Sequence, residues 1–160
     1  MIILSKLADY GVIVATHLAM EPCRQMTAAA IAKEAKLPRA TVAKVLKALA
    51  HAGVVAGARG AAGGYRLARP AKQISVAEVV QAIDGAISVT QCTNHSAAHD
   101  SASESHSCVR SMFCPTRPHW HRINDVVGTA LAAVSLAEMV PPFAAFAPPQ
   151  QAASGDSVLL

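Results

Sequence analysis

The sequence predicts a mainly α fold with a small β wing: a winged helix-turn-helix followed by a long dimerisation helix. Three observations carry this. Apolar residues recur at helical spacing through the first fifty residues and again beyond residue 119. Between them, GVVAGARGAAGGYRLARP has the pattern of two short strands around a glycine tip. The apolar share is 52%, much of it alanine, and only six of 160 residues are aromatic. Such a core is built of close-packed helices and can be completed by a second subunit.

The first helix lies in LSKLADYGVIVATHLAM, where Leu7, Tyr10, Val14 and Leu18 share a face. Thr27 caps AAAIAKEA, KLPR turns the chain, and ATVAKVLKALAHAG forms a third helix that buries Val42, Val45, Leu46 and Leu49 and stops at Gly53. Two short helices around a tight turn make a helix-turn-helix. Its second helix presents Arg39, Thr41, Lys44 and Lys47 away from the apolar face, as entry into a major groove requires. In the wing, Gly60, Gly63 and Gly64 let the tip turn with positive dihedrals and approach a surface, and Arg59 projects toward a narrow minor groove. Arg66 and Arg69 stand ready for phosphates.

Charge supports a polyanionic partner for this half. Residues 1–75 hold eleven Lys or Arg against three Asp or Glu, a net of +8, whereas residues 76–160 hold three against seven, a net of −4. Charge alone would favour a solvated basic hairpin beside an ordinary helical hairpin. Helix-turn-helix, wing and charge together point to a double-stranded DNA operator.

ISVAEVVQAIDG is a short packing helix with a capping box, Ser75 and Glu78, closed by Gly85. Further on, HWHRINDVVGTALAAVSLAEMV repeats apolar residues at Trp120, Ile123, Val127, Leu131 and Val134, a long helix with one sticky face starting between Pro115 and Pro118. The simplest burial of that face is against its copy in a homodimer, which would offer two recognition helices to two half-sites. The organisation is thus a DNA-binding domain (1–75), a loop with a dimerisation helix (76–140) and a disordered tail (141–160) rich in Pro, Ala, Gln and Ser.

The loop holds soft ligands: QCTNHSAAHDSASESHS contains Cys92, His95, His99 and His106, and CVRSMFCPTRPHWH contains Cys108, Cys114, His119 and His121. The following helix N-terminus favours a thiolate at Cys114. Three thiolates and one further ligand suit zinc or an iron–sulfur cluster. The absence of a CxxC pair weakens the case for structural zinc, and a polar insertion with incidental thiols stays open. His17, His51 and Cys23 fit packing or surface positions. No oxyanion-type glycine turn lies beside the cysteines and no acidic residues pair, so the chain is not read as an enzyme. Lys6 and Asp9 interrupt the N-terminal apolar stretch, no charge-free apolar run of membrane length exists, and the cysteine spacing matches no secreted disulfide framework. A cytoplasmic protein without a membrane partner follows.

Taken together, LSKLADYG, LPRATVAKVLKALAHAGVVAGARGAAGGYRLARP, ISVAEVVQAIDG, the three loop cysteines, HWHRIND and VSLAEMV resemble the winged-helix iron–sulfur regulators of the IscR and NsrR type, most of all those governing SUF-system cluster assembly. The resemblance covers roughly residues 1–140. It implies a homodimeric transcription regulator with one cluster per subunit on Cys92, Cys108 and Cys114, [2Fe–2S] in first place and [4Fe–4S] in second. Oxidant, nitric oxide or iron shortage would be the signal, and cluster-assembly genes the target. It also implies that Asp9, from the first helix of the opposite subunit, is the fourth ligand. A plain first-turn carboxylate is the competing reading of Asp9, and His106, His119 and His121 are the competing ligands. A zinc-binding or cluster-free redox-sensing winged-helix repressor is the alternative. The chain departs from IscR in the fifteen residues between Cys92 and Cys108, in Arg117 where IscR has its ligand histidine, and in Ala43 where IscR has an acidic residue.

Overall fold

Ser5 opens the first helix by accepting a hydrogen bond from the Ala8 N–H at 3.0 Å, and its own hydroxyl reaches Asp84 at 2.6 Å. The structure, a computed structural model, describes residues 4–58, 60, 63–90, 93 and 113–141. Arg59, Cys92, Cys108, His95, His99, His106 and the tail from 142 onward lie outside the described residues.

Helix α1 (Lys6–Met20) buries Ala8, Gly11, Val12, Val14, Ala15 and Leu18. Of the expected face, Val14 and Leu18 are buried, while Leu7 and Tyr10 pack at its edge. The face is centred on small residues because a second helix lies close against it: a Cβ on Gly11 would come within 3.0 Å of the Ile83 side chain.

Helix α2 (Ala28–Glu34) begins as expected at Thr27, whose hydroxyl accepts from the Ala30 N–H at 3.2 Å. It ends in a turn closed by Leu37 N–H to the Ala32 carbonyl (2.9 Å), with Lys36 in the left-handed region at φ 53°. Helix α3 (Arg39–His51) then buries Val42, Val45, Leu46 and Leu49, and Gly53 at φ 72° ends it with Val54 N–H on the Leu49 carbonyl. Both agree with the expected helix-turn-helix.

Strands β1 (Val55–Ala58) and β2 (Gly64–Leu67) pair antiparallel, Val55 opposite Leu67 and Ala58 opposite Gly64. Gly64 therefore belongs to a strand and not to the tip. It is glycine because Cβ there would stand 2.8 Å from the Met26 carbonyl oxygen. That approach lets Met26 and Tyr65 exchange two backbone hydrogen bonds, at 3.0 and 2.8 Å, fastening the wing to the α1–α2 link.

Helix α4 (Val76–Asp84) carries the expected capping box of Ser75 and Glu78, and Gly85 ends it at φ 82°. Helix α5 (Arg117–Ala133) starts within the expected window. The apolar periodicity through residue 140 predicts one continuous helix. Instead the chain breaks at Val134, in extended backbone with ψ 118°, and α6 (Leu136–Met139) begins with a second capping box, Ser135 and Glu138. The break turns the chain back onto the core. Val76 N–H donates to the Val134 carbonyl (2.9 Å), Leu136 N–H donates to the Ile74 carbonyl (2.8 Å), and Leu136 is fully buried.

One apolar core joins Val14, Leu18, Ile31, Leu46, Leu49, Val79 and Leu136, so α4 and α6 share the interior of the helix-turn-helix. By contrast α5 buries none of its residues: Trp120, Ile123 (42% exposed), Val126 (63% exposed) and Val134 face outward, and Leu131 alone of the expected stripe packs on the core. Among the described residues no helix is long and apolar enough to cross a membrane.

Glu78 supplies a pH-dependent contribution to this fold. Burial pushes its carboxyl up, but the Ser75 backbone N–H and the Arg69 guanidinium outweigh that and hold it below the ordinary glutamate range. A carboxylate held low stabilises the fold above that range and loses the contribution as pH falls through the folded-state value. Glu78→Gln, which keeps a cap acceptor, is therefore expected to unfold more easily than the parent at neutral pH, with the difference closing in acid. Thermal unfolding of both proteins from neutral to acid checks this; a constant difference would show that ionisation of Glu78 contributes nothing.

Candidate functional site

The exposed face of α3 is built by the burial of the other. With Val42, Val45, Leu46 and Leu49 in the core, helical geometry turns Arg39, Ala40, Ala43, Lys44 and Lys47 outward, and all five are exposed while Thr41 is half-buried. Three cations thus stand on one helix face with two alanines between them, a surface flat enough to approach a groove closely. No acidic residue occurs in the α3 segment to oppose them.

The wing adds Arg66, exposed on β2 opposite Ala56, and Gly60 at φ 115°, whose carbonyl accepts from the Gly63 N–H at 2.9 Å and so narrows the tip. Arg69 is a different case. It was expected to be available for phosphate, yet its guanidinium is held by Glu78 and by the Gln73 carbonyl (3.0 Å), because the turn Ala71–Gln73 folds α4 back beside the end of β2. His17 Nε2, 3.0 Å from Glu34, joins α1 to α2 at the surface, and Arg24 in the link between them reaches both Glu34 (3.6 Å) and Glu21 (3.0 Å). His17 is thus a surface contact between helices, while His51 and Cys23 are exposed.

Of the four expected metal ligands, the structure describes Cys114 and Asp9. Cys114 is half-buried three residues before α5, its Sγ 3.2 Å from the Thr116 hydroxyl, and its carbonyl accepts from the Arg117 N–H. A soft thiol at a loop-to-helix junction fits the donor chemistry of zinc or an iron–sulfur cluster. Asp9 is exposed in the first turn of α1. Among the described residues no three His, Cys, Asp or Glu side chains gather around one point. Asp9 and Cys114 would need the loop cysteines, and for Asp9 a second subunit, to form a site.

Two residues that pattern reading passed over make contacts in the described segments before and after the loop sequence. Asn124, inside α5, accepts from the Val89 N–H at 3.0 Å and so ties the segment after α4 to α5. Thr93, beside Cys92 in sequence, is 1% exposed and its hydroxyl donates to the Thr90 carbonyl at 2.8 Å. Thr93 and Asn124 line a groove of about 550 Å³ with Gln81, Ile87, Gly128 and Thr129. The only local signal was an asparagine in the middle of a helix, where its propensity is poor.

The family model Rrf2, described as an iron-dependent transcriptional regulator, matches residues 4–142. The chain is similar to the HTH-type transcriptional regulator IscR of Photobacterium profundum, 33% identical over 92 residues, which are 58% of this chain and 48% of the relative. It spans about half the length of the curated relatives it matches. Among solved structures, CymR, the global cysteine regulator of B. subtilis, superposes with a TM-score of 0.65 at 23% identity, covering 88% of this chain and 97% of that one. The T. potens IscR superposes with a TM-score of 0.64 at 24% identity, covering 87% and 86%. Both likenesses support the winged-helix fold.

Proposed function

The chain belongs to the Rrf2 family of transcriptional regulators, and on that premise we propose that it is a cytoplasmic, homodimeric DNA-binding regulator that reads an operator with α3 and the wing and senses iron–sulfur cluster status. The observation that carries the DNA-binding part is the division of α3. Its four branched apolar residues are buried, and Arg39, Lys44 and Lys47 are exposed on the opposite side. Thr41, Gly60 and Arg66 extend that surface, and Arg59, which the sequence assigns to the wing, would enter the minor groove. The homodimer reading rests on the outward apolar face of α5, which among the described residues is left uncovered at Trp120, Ile123 and Val126.

For the sensor, Cys92, Cys108 and Cys114 would hold the cluster, [2Fe–2S] in first place and [4Fe–4S] as the alternative, with Asp9 of the partner subunit as fourth ligand. Bound there, such a cluster supplies a group that oxidant, nitric oxide or iron shortage can remove. This chain's own residues would convert that event into a change at DNA: the loop leads directly into α5, and α5 sets the separation of the two recognition helices. Genes for SUF-type cluster assembly are the proposed targets. Anaerobic purification with an absorption spectrum and iron, sulfide and zinc analysis tests the sensor; zinc without sulfide would assign the zinc-binding repressor instead.

DNA reading is tested with a duplex enriched by the protein from a randomised library. Arg59→Ala should weaken binding by about 1–3 kcal/mol, as removal of a groove-inserted arginine does, and Lys44→Ala should weaken it as well. A gel-shift titration at fixed salt in which Arg59→Ala binds as tightly as the parent would remove the wing from recognition.

A further inference from the structure

Where the dimerisation helix ends, two chain segments lie side by side. Ile74–Val76 and Val134–Leu136 exchange backbone hydrogen bonds of 2.9 and 2.8 Å, and Ser75 faces Ser135 across an antiparallel bridge. Each serine opens a helix and each helix returns a glutamate to it, Glu78 in α4 and Glu138 in α6. Glu78 does more than cap. One of its oxygens accepts from the Ser75 N–H at 3.0 Å; the other accepts from Arg69, two residues beyond β2, whose second guanidinium nitrogen holds the Gln73 carbonyl. A single carboxylate thus bonds the start of α4 and the returning end of the wing, at the point where α4 is also bonded to the end of α5.

A two-stranded hairpin has little stiffness of its own and takes its direction from whatever holds its base. Here one hold is the Met26–Tyr65 exchange and another is Arg69 on Glu78. An exposed ion pair adds little to global stability. It can still select one wing angle, because between Leu67, the last wing residue in the core, and Ile74 the chain is mostly exposed and has little other packing to fix its direction.

We propose that Glu78 and Arg69 form a positioning joint that sets the wing against the recognition helix and links it to the end of the dimerisation helix, so that operator affinity depends on two residues that do not touch DNA. The proposal deepens the DNA-binding reading given above and rests on it. It makes a prediction of unusual sign. Removing the Glu78 charge from a basic domain should, by electrostatics alone, tighten binding to DNA; loss of the joint should weaken binding to the specific duplex.

The test uses the full chain, the duplex it enriches from a randomised library, and a scrambled duplex of equal length. Glu78→Gln and Arg69→Gln are each expected to weaken binding to the enriched duplex about three- to ten-fold. The double variant should bind no worse than either single one, since both remove the same joint. Binding of Glu78→Gln to the scrambled duplex should be unchanged or tighter, and the salt dependence of Arg69→Gln should match the parent. Glu78→Gln binding the enriched duplex as tightly as the parent would overturn the joint. So would additive effects with a shallower salt slope for Arg69→Gln, which would make Arg69 a phosphate ligand. A parent protein that enriches no duplex would overturn the DNA-binding reading itself, and the joint with it.

Discussion

Gly64→Val is expected to cost about 3 kcal/mol or more of folding stability, read as a fall in the urea midpoint with the denaturant slope unchanged. A side chain there meets the Met26 backbone, with Cβ only 2.8 Å from its carbonyl oxygen and 2.9 Å from its carbonyl carbon. Neither atom can swing aside as the end of a long side chain would. Forcing extra volume into such a contact costs about 1–3 kcal/mol, and parting Met26 from Tyr65 breaks two backbone hydrogen bonds worth about 1 kcal/mol each. Gly57→Ala is the internal control. Its Cβ would meet only the Tyr65 ring, at 3.3 Å, and the ring can give way, so the loss should stay within about 1 kcal/mol. Equal midpoints for Gly64→Val and the parent would mean that the wing is not fastened to the α1–α2 link.

Cys114→Ala is expected to abolish the visible absorption of the anaerobically purified protein, as are Cys92→Ala and Cys108→Ala, while Cys23→Ala leaves it intact. Cys114 stands half-buried three residues before α5. Cys23 is exposed on the link after α1, beside Arg24 and far along the chain from the loop. A cluster on three thiolates does not survive as two, because the fourth ligand alone cannot replace the charge and softness of a lost sulfur. Full absorption in Cys114→Ala, or its loss in Cys23→Ala, would overturn the ligand assignment. In the same measurement Asp9→Ala should alter the spectrum and shorten its lifetime in air, with His106→Ala, His119→Ala and His121→Ala close to the parent; the reverse pattern would move the fourth ligand to histidine.

Much of the architecture was legible in the sequence because its causes are local. Thr27 and the Ser75–Glu78 box start their helices through contacts three residues apart, and Gly53 and Gly85 end theirs by adopting dihedrals that other residues resist. The buried and exposed faces of α3 follow from helical periodicity alone, so the candidate DNA-reading surface could be named residue by residue. Ser135 and Glu138 carried the same local signal as Ser75 and Glu78, but an apolar stripe running straight past them concealed it. What makes the helix stop there is Leu136, which reaches the core only if the chain turns at Val134.

Tertiary structure alone decided the rest. Gly64 is glycine for the sake of Met26, thirty-eight residues earlier, a distance at which no turn rule operates. Arg69 reads as a phosphate contact in a basic segment, and only the fold sets Glu78 and the Gln73 carbonyl against its guanidinium. Asn124 holds Val89 across thirty-five residues, tying the segment that leads toward Cys92 to α5. Sequence determines which groups a chain offers and how each short segment will curl, since those energies are set within one or two turns. Which offered groups meet is settled by packing, when burying Val79, Leu46 and Leu136 in one core leaves a single arrangement for the segments that carry them.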